Sequence, residues 1–101
     1  MKYVPVNKHW IKMYQQYNFY TVIKKFPINK IQIKPLRNKL KTNEVLYMLM
    51  NFDKEVWIPI TLDTKHFLVD GQHRLELAKQ FGMEFIDTVI LDKKKLKQSS
   101  I

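Results

Sequence analysis

Apolar positions along these 101 residues switch repeatedly between helical and alternating spacing. From Asn7 to Tyr17, Trp10, Ile11, Tyr14 and Tyr17 recur at helical intervals, which predicts a helix with one aromatic-apolar face. Phe19 to Phe26 alternates instead, with Phe19, Thr21 and Ile23 on one side and Tyr20, Val22 and Lys24 on the other, as in a strand that Pro27 interrupts. Ile31-Gln32-Ile33 reads as a short strand ending before Pro35. Thr42 or Asn43 can cap a helix in which Val45, Met48, Leu49 and Phe52 follow the i, i+3, i+4, i+7 rule. Trp57 to Leu62 predicts a strand, and Pro59 argues for an edge or irregular position. A turn over Asp63 to His66 leads into Phe67-Leu68-Val69, apolar enough to be a buried strand. Leu75 to Gln80 are good helix formers closed by Gly82 at the C′ position. Glu84 to Leu91 is the closing strand, with Phe85-Ile86 and Val89-Ile90-Leu91 implying burial.

The order helix, strand, strand, helix, strand, strand, helix, strand predicts a mixed α/β (α+β) domain with a compact mixed sheet and two to three helices. Residues 1–92 are expected to form this single domain, and nothing in their composition reads as a linker. Residues 93–101 read as a basic, disordered tail.

Charge divides the chain more sharply than its net +9 shows. Residues 1–41 hold ten basic residues, Lys24, Lys25, Lys30, Lys34 and Arg37 among them, and no Asp or Glu. Residues 42–92 hold nine acidic residues against four basic ones, and Lys93, Lys94, Lys95 and Lys97 follow. Such segregation points to a polyanionic partner, nucleic acid before membrane, though a solvated basic face has the same composition. With no cysteine, disulfides, thiolate zinc sites and cysteine catalysis are excluded. No apolar run approaches a span of about 18–20 residues and the N-terminus lacks a signal-peptide core, so a cytoplasmic protein is expected.

The most informative segment is Asp70-Gly71-Gln72-His73-Arg74, placed where a strand turns into a helix. First-turn amides and the positive end of the helix dipole point outward there. Glycine lets the backbone approach a ligand, and His73 and Arg74 add donors suited to phosphate oxygens, so the segment reads as an anion site for phosphate. The same residues also fit a bare turn, with Asp70 capping the helix and Arg74 pairing on the surface.

His9, His66 and His73 lie far apart without paired spacing, so no protein-only metal site is expected. Magnesium carried by a nucleotide is a better fit, since it needs only one or two carboxylates. Asp70 and Glu76 are the nearest, and both are candidate catalytic carboxylates, although Glu76 also suits an exposed helix face. The aromatic cluster Trp10, Tyr14, Tyr17, Phe19 and Tyr20 sits among lysines, as in single-strand binders, but helix-spaced aromatics are more often core, the reading preferred here.

From about Phe26 to Leu91 the chain resembles the ParB/sulfiredoxin superfamily of ParB-like N-terminal domains. Phe26-Pro27-Ile28-Asn29-Lys30-Ile31 is similar to the hydrophobic-Pro-Ile-x-x-Ile opening of these domains. Pro35-Leu36-Arg37, the helix Glu44 to Phe52 and Ile58-Pro59-Ile60 follow in the family's order. Val69-Asp70-Gly71-Gln72-His73-Arg74-Leu75, with Ala78, Lys79 and Gly82, is similar to its Gly-x-x-Arg box. Residues 1–25 are a basic extension outside the likeness.

The resemblance implies a nucleotide-binding fold whose Gly-x-x-Arg turn holds a triphosphate. Partition ParB proteins use CTP to control a DNA clamp, sulfiredoxins use ATP to repair an oxidised peroxiredoxin, and other members phosphorylate serine. Carried over, Gly71, Gln72, His73 and Arg74 would hold phosphates, with Arg37 matching the earlier Pro-Arg box. Sulfiredoxin's catalytic cysteine slot holds Gln72, which excludes that chemistry. Where sulfiredoxins turn Lys, Ser and Thr toward the phosphates, Glu44, Tyr47 and Asn51 align, and of these Asn51 is the substitute. The partition proteins also carry a downstream helix-turn-helix domain, which is not expected within these 101 residues.

The leading expectation is a stand-alone ParB-like domain that binds a nucleoside triphosphate, CTP or ATP, with Mg2+, as a switch or weak NTPase in DNA-related processes. The alternative is a small DNA-binding accessory protein, gripping phosphates through the same turn and through Lys24, Lys25, Lys30 and Lys34. A homodimer or a protein partner is compatible with either.

Overall fold

The structure is a computed structural model that describes residues 2–34, 42–52 and 57–99, without the side chains of Thr42, Glu44, Met48, Leu49 and Ser99. Asn7 begins the first helix, α1 (Lys8–Gln15), by accepting a hydrogen bond from the His9 amide at 2.9 Å. Within α1 only Ile11 is buried. Trp10, Tyr14, Phe19 and Tyr20 are half-buried and Tyr17 is exposed, so the expectation that these aromatics form the core is corrected.

The strand expected from Phe19 forms as β1 (Tyr20–Pro27) and pairs antiparallel with β4 (Phe85–Leu91). Its register shifts between Ile23 and Phe26, where Lys25 takes a left-handed φ of 55°. A 3-10 turn follows over Ile28–Lys30. Ile31–Ile33 makes a single bridge, Gln32 to Phe67, instead of the expected strand.

Helix α2 (Thr42–Met50) seats Val45 inward and exposes Leu46, Tyr47 and Met50. Next come β2 (Ile60–Asp63), β3 (Leu68–Asp70) and α3 (Gln72–Gln80). The sheet order is β1-β4-β2-β3, with β2 parallel to β4 and antiparallel to β3. Pro59 therefore does not mark an edge. It lies just before the first residue of an inner strand, where the ladder asks for no N–H from it. The edge strands are β1 and β3, and Val69 of β3 is 45% exposed, which corrects the expectation of a buried strand there.

Ile60 and Leu62 of β2, Leu75, Leu77 and Ala78 of α3 and Ile86 of β4 form the centre of the core. Each large aliphatic among them contributes about 1.5–3 kcal/mol over its exposed state. Helix α3 ends as its glycine predicts. Gly82, at φ 72°, donates to the Lys79 carbonyl and Met83 to that of Ala78, both at 3.0 Å. Of the tail expected to be disordered, residues 93–99 are helical and 100–101 lie outside the described residues: Asp92 caps α4 (Lys93–Ser99) by accepting from the Lys94 and Lys95 amides.

A buried carboxylate ties the N-terminal arm to the sheet. Asp87 accepts from Tyr3 Oη at 2.6 Å, the Val6 amide at 2.9 Å and the Lys25 amide at 3.0 Å. Val4 and Val6 are thereby held in the core, and the bulge in β1 is held by the same side chain.

Candidate anion-binding site

The segment 70–74 stands at the end of edge strand β3 and opens α3, as its flanks predict. Gly71 is the N-cap residue and has no side chain to accept from the first-turn amides, and that turn contains no acid. Its amides and the helix dipole thus face outward without a capping carboxylate.

Gly71 is required for two reasons visible in the geometry. Its φ of 105° lies in the left-handed region, and a Cβ there would stand 2.6 Å from Ile60 Cγ2. The glycine therefore lets α3 settle onto β2, a packing role that comes before any approach by a ligand. The same Cβ would stand 3.2 Å from Arg74 Nη2, so the glycine also leaves room for the guanidinium.

Two side chains of the turn present donors without acceptors. Gln72 Nε2 and Arg74 Nε are buried atoms with no hydrogen-bond partner among the described residues. A buried donor left unmet costs about 1–3 kcal/mol, so this arrangement favours an acceptor arriving from outside. Arg74 Nη2 lies 3.7 Å from Asp70 Oδ2, with 22% of the arginine side chain exposed against 77% of the aspartate. Asp70 does not cap the helix as a bare turn would have it; it borders the guanidinium. His73 is half-buried on the same turn.

The other expected site residues are less concentrated. Asn51 caps the end of α2, its Nδ2 donating to the Tyr47 carbonyl at 2.9 Å. Glu76 Oε1 accepts from Gln80 Nε2 at 3.2 Å along the helix. Lys24 and Lys30 are exposed, while Lys25 Nζ lies 5.2 Å from the centre of the Tyr3 ring and Lys34 Nζ 5.0 Å from that of Phe67. Arg37 and the Glu44 side chain lie outside the described residues. Among the described residues no three His, Asp or Glu gather as a metal site would need.

The residue that sequence reasoning missed is Tyr14. Helix α1 brings its ring edge-on to Tyr20 at 4.9 Å and within electrostatic range of the turn. Its phenol is pushed above the usual range by burial first and then by Tyr20; Arg74 pulls it down and Asp70 pushes it up. Helical spacing placed Tyr14 on a buried face, but nothing local in the sequence connects it to a turn sixty residues away.

Solved structures share this architecture at low sequence identity. A sulfiredoxin from Arabidopsis thaliana aligns with 77% of this chain and 94% of its own at 20% identity and a TM-score of 0.58. A pNOB8-like ParB N-domain aligns over 72% of this chain at 18% identity and a TM-score of 0.54, and a second crystal form of a pNOB8-like ParB-N domain gives 20% and 0.51. This chain spans only 28–30% of those ParB chains. No protein-family model matches the sequence, and no curated protein does. The chain has the ParB/sulfiredoxin fold.

Proposed function

We propose that the turn Asp70–Arg74 binds the phosphate groups of a nucleoside triphosphate, making the domain a nucleotide-dependent switch or weak NTPase. The observation that carries this reading is the pair of buried, unmet donors, Gln72 Nε2 and Arg74 Nε, at a helix N-terminus without a side-chain cap. Phosphate oxygens would satisfy both atoms and the first-turn amides together. The fold's likeness to ParB N-domains and a sulfiredoxin agrees with a nucleotide as the source of those oxygens.

Magnesium arriving with the phosphates would take Asp70 as its protein ligand, since Glu76 is engaged by Gln80. Its part would be to neutralise phosphate charge. The protein's own part is electrostatic: Arg74 and the α3 amides stabilise charge on the terminal phosphate.

Isothermal titration with CTP, ATP and GTP, each with magnesium, tests the reading. Binding by the wild type and its loss in Arg74→Ala, with the fold intact by circular dichroism, is the expected result. Undiminished affinity in Arg74→Ala would sink it.

A further inference from the structure

At the start of β1 the chain carries a second surface, made of none of the residues of the phosphate turn. Tyr17, Phe19 and Tyr20 pack on one another, with ring centres 5.3 Å apart for Tyr17 and Phe19 and 4.9 Å for Phe19 and Tyr20. Tyr17 is 46% exposed and none of the three belongs to the core. Apolar rings gathered at the surface around an exposed tyrosine call for a partner with flat faces.

Helix α4 begins directly beside this cluster. The Asp92 amide donates to the Phe19 carbonyl at 2.9 Å, and Tyr20 pairs with Leu91 in the sheet. From that junction α4 carries Lys93, Lys94, Lys95 and Lys97 in seven residues, and all four are exposed. Lys8 and Lys12 of α1 are exposed as well. The nearby acids cap backbone amides. Asp92 Oδ1 accepts from the Lys94 and Lys95 amides, and Asp63 Oδ1 accepts from the Lys65 and Phe67 amides at 2.9 Å.

We infer that this surface binds single-stranded nucleic acid, with bases stacking on the Tyr17 and Phe19 rings and the sugar-phosphate chain running along the α4 lysines. Stacked rings beside exposed ammonium groups match what a strand with unpaired bases offers, whereas a duplex hides its base faces. The lysines supply affinity without sequence code, and the rings supply the preference for unpaired bases. The inference is independent of the nucleotide reading, because neither Arg74 nor Gln72 takes part.

Fluorescence anisotropy of a labelled oligothymidylate of about 12 nucleotides tests it on the full chain, with a duplex of the same length and inorganic polyphosphate as comparison probes. Tyr17→Ala is expected to weaken oligothymidylate binding about tenfold and to leave polyphosphate binding unchanged. Lys94→Gln with Lys95→Gln is expected to flatten the salt dependence by about 1.4 in log-log slope, 0.7 per lost phosphate contact. The inference is overturned if the wild type does not bind oligothymidylate, if Tyr17→Ala binds as well as the wild type, or if it loses polyphosphate by the same factor. Tighter binding of the duplex than of the single strand overturns it as well.

Discussion

Arg74 Nη2 and Asp70 Oδ2 stand 3.7 Å apart across one turn, with the cation mostly sheltered and the anion mostly in water. A pair so exposed contributes at most about 1 kcal/mol, so Asp70 holds Arg74 only lightly. Any phosphate reaching Arg74 must share it with this carboxylate. On the proposed reading Asp70 would have two opposite effects: it would compete with a bare phosphate and attract one accompanied by magnesium.

The first prediction separates those effects. Asp70→Asn should tighten binding of inorganic pyrophosphate in EDTA, by up to about fivefold, the equivalent of at most 1 kcal/mol. With magnesium and nucleotide the gain should shrink or reverse, because the metal loses its carboxylate. Titration calorimetry under both conditions reads the contrast. Weaker pyrophosphate binding by Asp70→Asn without metal would show that Asp70 supports the anion directly.

Two glycines with left-handed backbones allow a second comparison. Gly71→Ala adds a Cβ 2.6 Å from Ile60 Cγ2, while Gly82→Ala meets nothing within 4 Å among the described residues. The left-handed conformation costs a non-glycine residue about 1–2 kcal/mol at either position, and overpacking adds about 1–3 kcal/mol at Gly71 alone. Thermal unfolding should therefore show Gly71→Ala melting about 5–20 °C below Gly82→Ala. Equal midpoints would mean that Ile60 yields freely and that the clash does not matter.

Gly71 also shows how far the sequence could be read. The strand-turn-helix context of 70–74 and the Gly82 stop were legible, because glycine, helix formers and an apolar triplet are local signals. That β3 lies at an edge was not, since Leu68-Val69 would serve equally well in an inner strand. Nor was the inner position of β2, because a proline ahead of a strand and one inside it look alike until the register is known. The α4 helix was hidden by its lysine run, although Asp92 is an ordinary N-cap signal. The electrostatic reach of Arg74 to Tyr14, and Asp87 beneath the N-terminal arm, depend on how distant segments come together, which no periodicity encodes.

Trp57 offers a third test. It is 2% exposed, edge-on to Phe52 at 5.4 Å, and its Nε1 has no hydrogen-bond partner among the described residues. Trp57→Phe removes that unmet donor, worth about 1–3 kcal/mol, and loses part of a ring's packing in exchange. The net loss in chemical denaturation should stay below about 1 kcal/mol, against about 3–5 kcal/mol for Trp57→Ala. A Phe variant as unstable as the Ala variant would place an acceptor on Nε1 in solution.

The last prediction concerns alkaline stability. Tyr3 Oη donates to Asp87 at 2.6 Å, and its ionisation is pushed well above the usual tyrosine value of 10.0, first by burial, then by that hydrogen bond and the Asp87 charge. The folded state therefore keeps a proton that the unfolded chain releases once the pH passes about 10. Stability from this group is complete below that pH and falls as pH rises toward the folded value, because the unfolded state then binds fewer protons than the native one. Tyr14, also raised, contributes with the same sign. Denaturation between pH 8 and pH 11 should thus show wild-type stability declining over the upper part of that range. Tyr3→Phe should be less stable at neutral pH, because Asp87 loses a donor, and should decline less steeply above pH 10. A decline of the same slope in Tyr3→Phe would assign it to other groups.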